Sequence, residues 1–310
     1  PIHLNVAAVW RNLHQAAAQL EGELGEEQDL FTEGCPRDWA GLPEPDPPLT
    51  VGIDGGYVHG RDGDNRKAGW FEVIAGKSMM AEGPAKCFGF VNGYDQKPKR
   101  RLFELLTAQG LQMNQAITFL SDGGDTVREL PLYLSPQAEH LLDWFHLTMR
   151  ITVMKQMAKG IPRTDLVDLE AEIERVKWYL WHGNVFRALQ VIEDLSSGLE
   201  GLDDQGPAVS KLRTAVEEFH GYIANNSAFI PNYGDRYRYG EVISTAFVES
   251  TINQVVSKRM VKKQQMRWTP RGAHFLLQVR VQVLNDEWRN TFCRWYPGML
   301  PAEPRMGNAA

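Results

Sequence analysis

Apolar and polar positions alternate in two different rhythms along this chain. Between Leu49 and Val91 the apolar residues come in short runs, Leu49 to Ile53, Gly69 to Gly76 and Lys86 to Val91, each bounded by glycine or charged turn residues. That pattern predicts a three-stranded antiparallel meander. From Arg100 to Gly110 the spacing of Leu102, Phe103, Leu105 and Leu106 becomes helical and stops at glycine. Ala116 to Leu120 then predicts a fourth strand and Glu139 to Leu142 a fifth, with a helical stretch ending near Leu134 between them. A strand that follows a helix favours a parallel crossover.

The rest reads as helix. Asp143 to about Gly160 is one, Asp165 to Ile230 holds three amphipathic helices, and Ser244 to Lys263 and Thr269 to Trp288 make two more, with Thr269 as a cap and Pro270 in the first turn. Residues 1 to 30 predict one or two further amphipathic helices, and Pro43-Glu44-Pro45-Asp46-Pro47-Pro48 is a linker.

Two predicted strands run into the same motif, Ile53-Asp54-Gly55-Gly56 and Ser121-Asp122-Gly123-Gly124. Singly, each is a turn, since Asp-Gly is a common turn dipeptide. As a pair at the C-terminal ends of parallel neighbours, the two acids emerge on one rim of a sheet, where open α/β sheets place their ligands. Hard divalent cations take oxygen ligands, so the pair suggests a metal site that a third acid completes. Glu249, in the helical stretch Ser244 to Asn253, is the candidate, with Asp62, Asp64, Asp125 and Glu241 as competitors on spacing.

Composition narrows the classes. The chain has 310 residues, 43% of them hydrophobic, enough for a sizeable core. No apolar run is long enough to cross a bilayer, which argues against a membrane protein. Cys35, Cys87 and Cys293 lie far apart and read as reduced thiols, and no secretory signal stands near Pro1, so the expected compartment is the cytoplasm. The start at proline is read as a truncation of a longer protein. A net charge of -6 gives no basic footprint overall, yet cations outnumber acids from Glu241 onward. Trp178, Tyr179 and Trp181, within one helical turn, read as core in preference to a base-stacking platform.

The strand order, the acids Asp54, Asp122 and Glu249 and the stretch Asp143-Trp144-Phe145-His146 together resemble the DDE transposases of bacterial insertion sequences, over about Thr50 to Asn285. Asp143 to His146 looks like the Asp-Xaa-Xaa-His signature of Mutator-like and related groups, although an aspartate there is equally an ordinary helix cap. Val256 to Met260 and Arg267 to Ala273 look like the C-terminal part of such enzymes. The resemblance implies an α/β, ribonuclease H-like fold: a mixed five-stranded sheet with flanking helices and an all-helical insertion before the last catalytic helix. The implied organisation is an N-terminal helical segment and linker over 1–48, the core over 49–160, the insertion over 161–240, C-terminal core helices over 241–295 and a tail over 296–310, without the usual DNA-binding domain in front.

The same resemblance implies metal-dependent cleavage and strand transfer of DNA, with Asp54, Asp122 and Glu249 holding two Mg²⁺ or Mn²⁺ ions and His146 in support. Lys258, Arg259, Lys262, Lys263, Arg267 and Arg271 become expected phosphate contacts, element ends and target DNA the expected partners, and a homo-oligomer on DNA the expected assembly. Rival readings are a nuclease of the same fold without strand transfer, a non-catalytic DNA-binding derivative, and a helical interaction protein whose Asp-Gly-Gly turns are coincidental.

Overall fold

A computed structural model describes residues 5–27, 41–61, 69–124, 130, 134–135, 138–161, 168–201, 206–252, 255–256, 260 and 267–298. Its strands are β1 (Leu49–His59), β2 (Trp70–Met79), β3 (Lys86–Val91), β4 (Ile117–Ser121) and β5 (Glu139–Leu142). They form one sheet in the order β3-β2-β1-β4-β5, with β1 to β3 antiparallel and β4 to β5 parallel. This is the mixed five-stranded, ribonuclease H-like arrangement expected from the sequence. The helices are α1 (Val6–Glu23), α2 (Pro98–Ala108), α3 (Trp144–Lys159), α4 (Leu169–Trp181), α5 (Val185–Glu200), α6 (Pro207–Asn225), α7 (Tyr233–Arg238), α8 (Ala246–Ile252), α9 (Pro270–Leu284) and α10 (Trp288–Trp295). No helix of the described residues is long and apolar enough to cross a membrane.

The chain divides into two compact units, one of Pro1–Ile117, Glu129–Ala138 and Phe247–Ala310, the other of Thr118–Arg128 and Glu139–Ala246. In the first, β1 continues five residues past Asp54 to His59, pairing Asp54 with Ala75, Gly55 with Ile74 and Gly56 with Val73. Asp54 therefore stands in mid-strand, which corrects the expectation of a turn at a strand end. The register with β2 keeps this stretch extended, while the Gly55 amide is taken up by the Asp54 side chain, so no turn is needed there.

Side chains alternate across a strand, so Gly52, Asp54, Gly56 and Val58 share one face of β1. Val58 packs there into a core with Val255, Val256, Met260 and Trp268.

Helix α9 starts as expected, with the Thr269 side chain accepting from the Gly272 amide and Pro270 in the first turn. It ends at Leu284, earlier than the predicted Trp288. Asp286 takes a left-handed φ of 59°, and the Asn285 side chain pairs with the edge of β3, accepting from the Cys87 amide at 2.8 Å and donating to the Cys87 carbonyl at 2.9 Å. An unpaired strand edge is thus closed by one amide side chain, and α10 is a separate element. Cys87 is buried and Cys293 half-buried, both as free thiols, while Cys35 lies outside the described residues.

In the second unit, α3, α4, α5 and α6 pack in cyclic order, each on the next and α6 back on α3. Their amphipathic faces supply one core that includes Ile151, Val176, Leu180, Ile192, Val216 and Phe219. Asp168 caps α4, Asn184 caps α5, and Pro207 opens α6. Of the aromatic turn in α4, Tyr179 and Trp181 pack on this core as expected, but Trp178 is 51% exposed with the Lys177 ammonium over its ring.

Candidate functional site

Asp54 is half-buried, and its Oδ1 accepts from the Gly55 amide at 2.7 Å. What covers its face of β1 is decided by two glycines. A Cβ on Gly52 would lie 2.2 Å from Cγ2 of Val248 and 2.7 Å from Cζ of Phe247, so only glycine admits α8 here. Two residues past Asp54, a Cβ on Gly56 would meet Cγ1 of Val256 at 4.0 Å. Val248 and Val256 thus lie over Gly52 and Gly56, with Asp54 between the two contacts. Glu249 follows Val248 in α8. The legible signal was a glycine on each side of Asp54 at strand spacing, Gly52 and Gly56, and not the Gly55-Gly56 pair.

Asp122 lies in the second unit, just past β4. Its Oδ1 accepts from the Gly124 amide at 3.0 Å, and its carbonyl accepts the Tyr222 hydroxyl at 2.9 Å. Burial pushes the Tyr222 phenol above its ordinary range, so the hydroxyl stays protonated and able to donate. Ser121 Oγ accepts from the Gly123 amide at 3.2 Å and sits 2.7 Å from Nε2 of His140. Among the competing acids, Glu241 pairs with Arg236, while Asp62, Asp64 and Asp125 lie outside the described residues.

The Asp-Xaa-Xaa-His stretch is both a helix cap and a side-chain dyad. Asp143 is fully buried. Its Oδ1 accepts from the amides of Phe145 and Thr245, each at 2.9 Å, and its Oδ2 takes the Thr245 hydroxyl and Nδ1 of His146, the latter at 2.7 Å. Burial alone would raise the Asp143 pKa, but these donors, His146 foremost, favour the anion and hold it below the ordinary carboxylate range. A carboxylate can only accept, so the proton of the His146 ring sits on Nδ1. The sequence marked Asp143 within the Asp-Xaa-Xaa-His stretch but gave it no role of its own, and Thr245 was not among the expected site residues; a buried acid that satisfies four donors is visible only once the chain is folded.

Of the expected phosphate contacts, Arg267 and Arg271 are exposed, with the Arg271 guanidinium 5.2 Å from the Phe275 ring centre. Lys258, Arg259, Lys262 and Lys263 lie outside the described residues.

The first unit also brings together an unforeseen Glu/Asp/His group, Glu21, Asp95 and His274, with candidate ligand atoms within 4.8 Å of one another. The Arg101 guanidinium already sits among them, bonded to Glu21 and Asp95 at 2.9 Å and to Gln278 at 2.7 Å. One fixed cation bonded to both acids makes this an ion-pair network that ties α1 to α2 and α9.

No family model and no curated protein matches this sequence. Among solved structures it is similar to the Drosophila P element transposase strand transfer complex, at 10% identity and a TM-score of 0.34, covering 93% of this chain and 94% of that one. It is also similar to the crystal structure of NurA, at 13% identity and a TM-score of 0.14, covering 82% and 74% of the two chains. A manganese-bound NurA structure is found at 11% identity and a TM-score of 0.14, covering 93% and 64%. The strand order and pairing themselves define an α/β protein of the ribonuclease H-like class.

Proposed function

We propose that this chain is the catalytic core of a metal-dependent enzyme that cuts and joins DNA, of the DDE transposase type found in bacterial insertion sequences. The observation that carries the reading lies within the first unit: the face of β1 bearing Asp54 is kept open by Gly52 and Gly56 for the segment that brings in Glu249. An acid in mid-strand beneath a helix carrying another acid is a poor arrangement for a core and a suitable one for oxygen ligands of a divalent cation. Asp122 is assigned as the third ligand from its place after β4 and its hydrogen-bonded loop.

These donors are all carboxylates, which suits Mg²⁺ or Mn²⁺. Two such ions, when bound, supply Lewis-acid stabilisation of the attacking and leaving oxygens of a phosphodiester. The protein's part is to hold the acids in place, to aim His146 through Asp143, and to grip backbone phosphates with Arg267, Arg271 and the basic stretch Lys258 to Lys263. Water is the first nucleophile: it attacks the phosphorus, the P–O3′ bond breaks, and a 5′-phosphate and a free 3′-hydroxyl result; in the second step that hydroxyl attacks a target-strand phosphodiester and displaces the target's own 3′-hydroxyl. Joining two element ends calls for more than one copy on DNA.

The test is Mn²⁺ titration by calorimetry with labelled DNA present, alongside nicking and strand-transfer assays, on the wild type and on Asp54→Asn, Asp122→Asn and Glu249→Gln. Joint loss of metal binding, nicking and transfer in all three variants is expected. Wild-type metal binding and nicking in the variants would overturn the reading, and nicking without transfer in the wild type would reduce it to a nuclease.

A further inference from the structure

The loop that carries Asp122 is shaped by the helical part of its own unit. Gly123 takes a left-handed φ of 83°, and a Cβ there would fall 2.4 Å from Oδ1 of Asn226 and 2.8 Å from Cδ1 of Leu142. Asn226 caps the C-terminus of α6 and donates through Nδ2 to the Tyr222 carbonyl at 2.9 Å. Tyr222, one turn earlier, reaches back with its hydroxyl to the Asp122 carbonyl. Its ring is fixed from two sides, by the Arg150 guanidinium of α3 at 4.3 Å and by Phe219 with ring centres 6.4 Å apart.

Two hydrogen bonds of this loop, from the Gly123 amide to Ser121 Oγ and from the Gly124 amide to Asp122 Oδ1, span two residues each and shape the turn. The Tyr222 hydroxyl ties it to the helices, over a separation of 100 residues. It meets the peptide of the residue whose carboxylate has to be presented.

We infer that Tyr222 is a positioning residue for Asp122: its hydroxyl, held on a helix of the all-helical bundle, fixes the Asp122 peptide so that the carboxylate is set before a divalent cation arrives. This rests on reading Asp122 as a metal ligand. It gives the helical bundle a task at the chemistry, because preorganising a ligand removes an ordering cost from binding.

Tyr222→Phe is the variant of choice, since the ring keeps its packing on Arg150 and Phe219 and only the donor is lost. The full chain is titrated with Mn²⁺ by calorimetry as wild type, Tyr222→Phe and Asp122→Asn, with thermal midpoints recorded and hydrogen exchange followed at the Gly123 and Gly124 amides of the metal-free proteins. The expected result is Mn²⁺ binding about tenfold weaker in Tyr222→Phe, at the low end for a group that orients a ligand. Exchange at the two amides should be faster and the thermal midpoint close to wild type.

Wild-type Mn²⁺ affinity and exchange in Tyr222→Phe, with binding lost in Asp122→Asn, overturn the positioning role and leave the ligand reading intact. Equal binding by wild type and Asp122→Asn overturns both. If Tyr222→Phe does not fold, Arg150→Met takes its place, because it loosens the ring and keeps the hydroxyl. There, about threefold weaker binding is expected as a fraction of the direct effect, and unchanged binding overturns the inference.

Discussion

Removing the Asp143 carboxylate is the most informative perturbation of this fold. Asp143→Ala takes the partner from the amides of Phe145 and Thr245, from the Thr245 hydroxyl and from Nδ1 of His146. Thr245 is 3% exposed, so water cannot replace what its amide and hydroxyl lose. Each buried donor left unsatisfied costs about 1–3 kcal/mol, and loss of the cap on α3 about 1 kcal/mol. A total of about 3–7 kcal/mol is therefore expected, with the His146 bond partly replaced by solvent. For a chain of this length, at about 1.5 °C per kcal/mol, that is a fall in Tm of about 5–10 °C.

The pH dependence has a definite sign. The folded-state pKa of Asp143 lies below the ordinary value of 3.8, so the carboxylate's contribution is complete above that value and is lost as the pH falls beneath it. The gap between wild type and Asp143→Ala should hold from neutral pH down to about pH 4 and close below it. Asp143→Asn should fall between the two, because its amide oxygen still accepts from the backbone while its NH₂ forces His146 onto the other tautomer. The assay is thermal unfolding by circular dichroism across pH for the three proteins. A fall smaller than about 2 °C at neutral pH would refute the argument that this acid holds the start of α3 to Thr245.

Gly52→Val should destabilise by about 1–3 kcal/mol or displace α8, since the new side chain enters space held by Val248 and Phe247; chemical denaturation measures the first and Mn²⁺ titration the second, and wild-type behaviour in both would remove the basis for placing Glu249 near Asp54. Glu21→Gln should cost about 1–2 kcal/mol at neutral pH, discounted for partial solvation of the carboxylate. Burial raises the Glu21 pKa, but His274 and Arg101 outweigh it and bring it from 4.5 down to about 2, so the cost should vanish as the pH falls through that interval; a gap constant from pH 6 to pH 2 would contradict the ion-pair account. Burial pushes the Cys87 thiol up to about 11, so peptide mapping after a maleimide pulse at pH 8 should show Cys87 labelled at least about tenfold more slowly than Cys293. Equal labelling would mean that the edge of β3 opens readily.

Much of the fold was written locally. The three short apolar runs before Val91, the helix stop near Gly110, the caps at Asp143 and Thr269 and the three amphipathic helices of the bundle are properties of neighbouring residues, and the structure returns each of them. The extent of β1 was not local, because whether Asp54-Gly55-Gly56 turns or stays extended depends on a partner strand, and β2 supplied it.

The same divide separates the candidate residues. Sequence alone singled out Asp54, Asp122, Glu249 and the spacing of Asp143 and His146, since acids beside glycines and a short motif can be read without coordinates. Tertiary structure alone decided that Gly52 and Gly56 open the Asp54 face to the segment bearing Glu249. It alone decided that Tyr222 reaches Asp122 across 100 residues and that Thr245 closes on Asp143 across 102. Such contacts leave no trace in local spacing, because a hydrogen bond or a steric fit between distant segments is set by how the elements pack and not by what stands next to each residue in the chain.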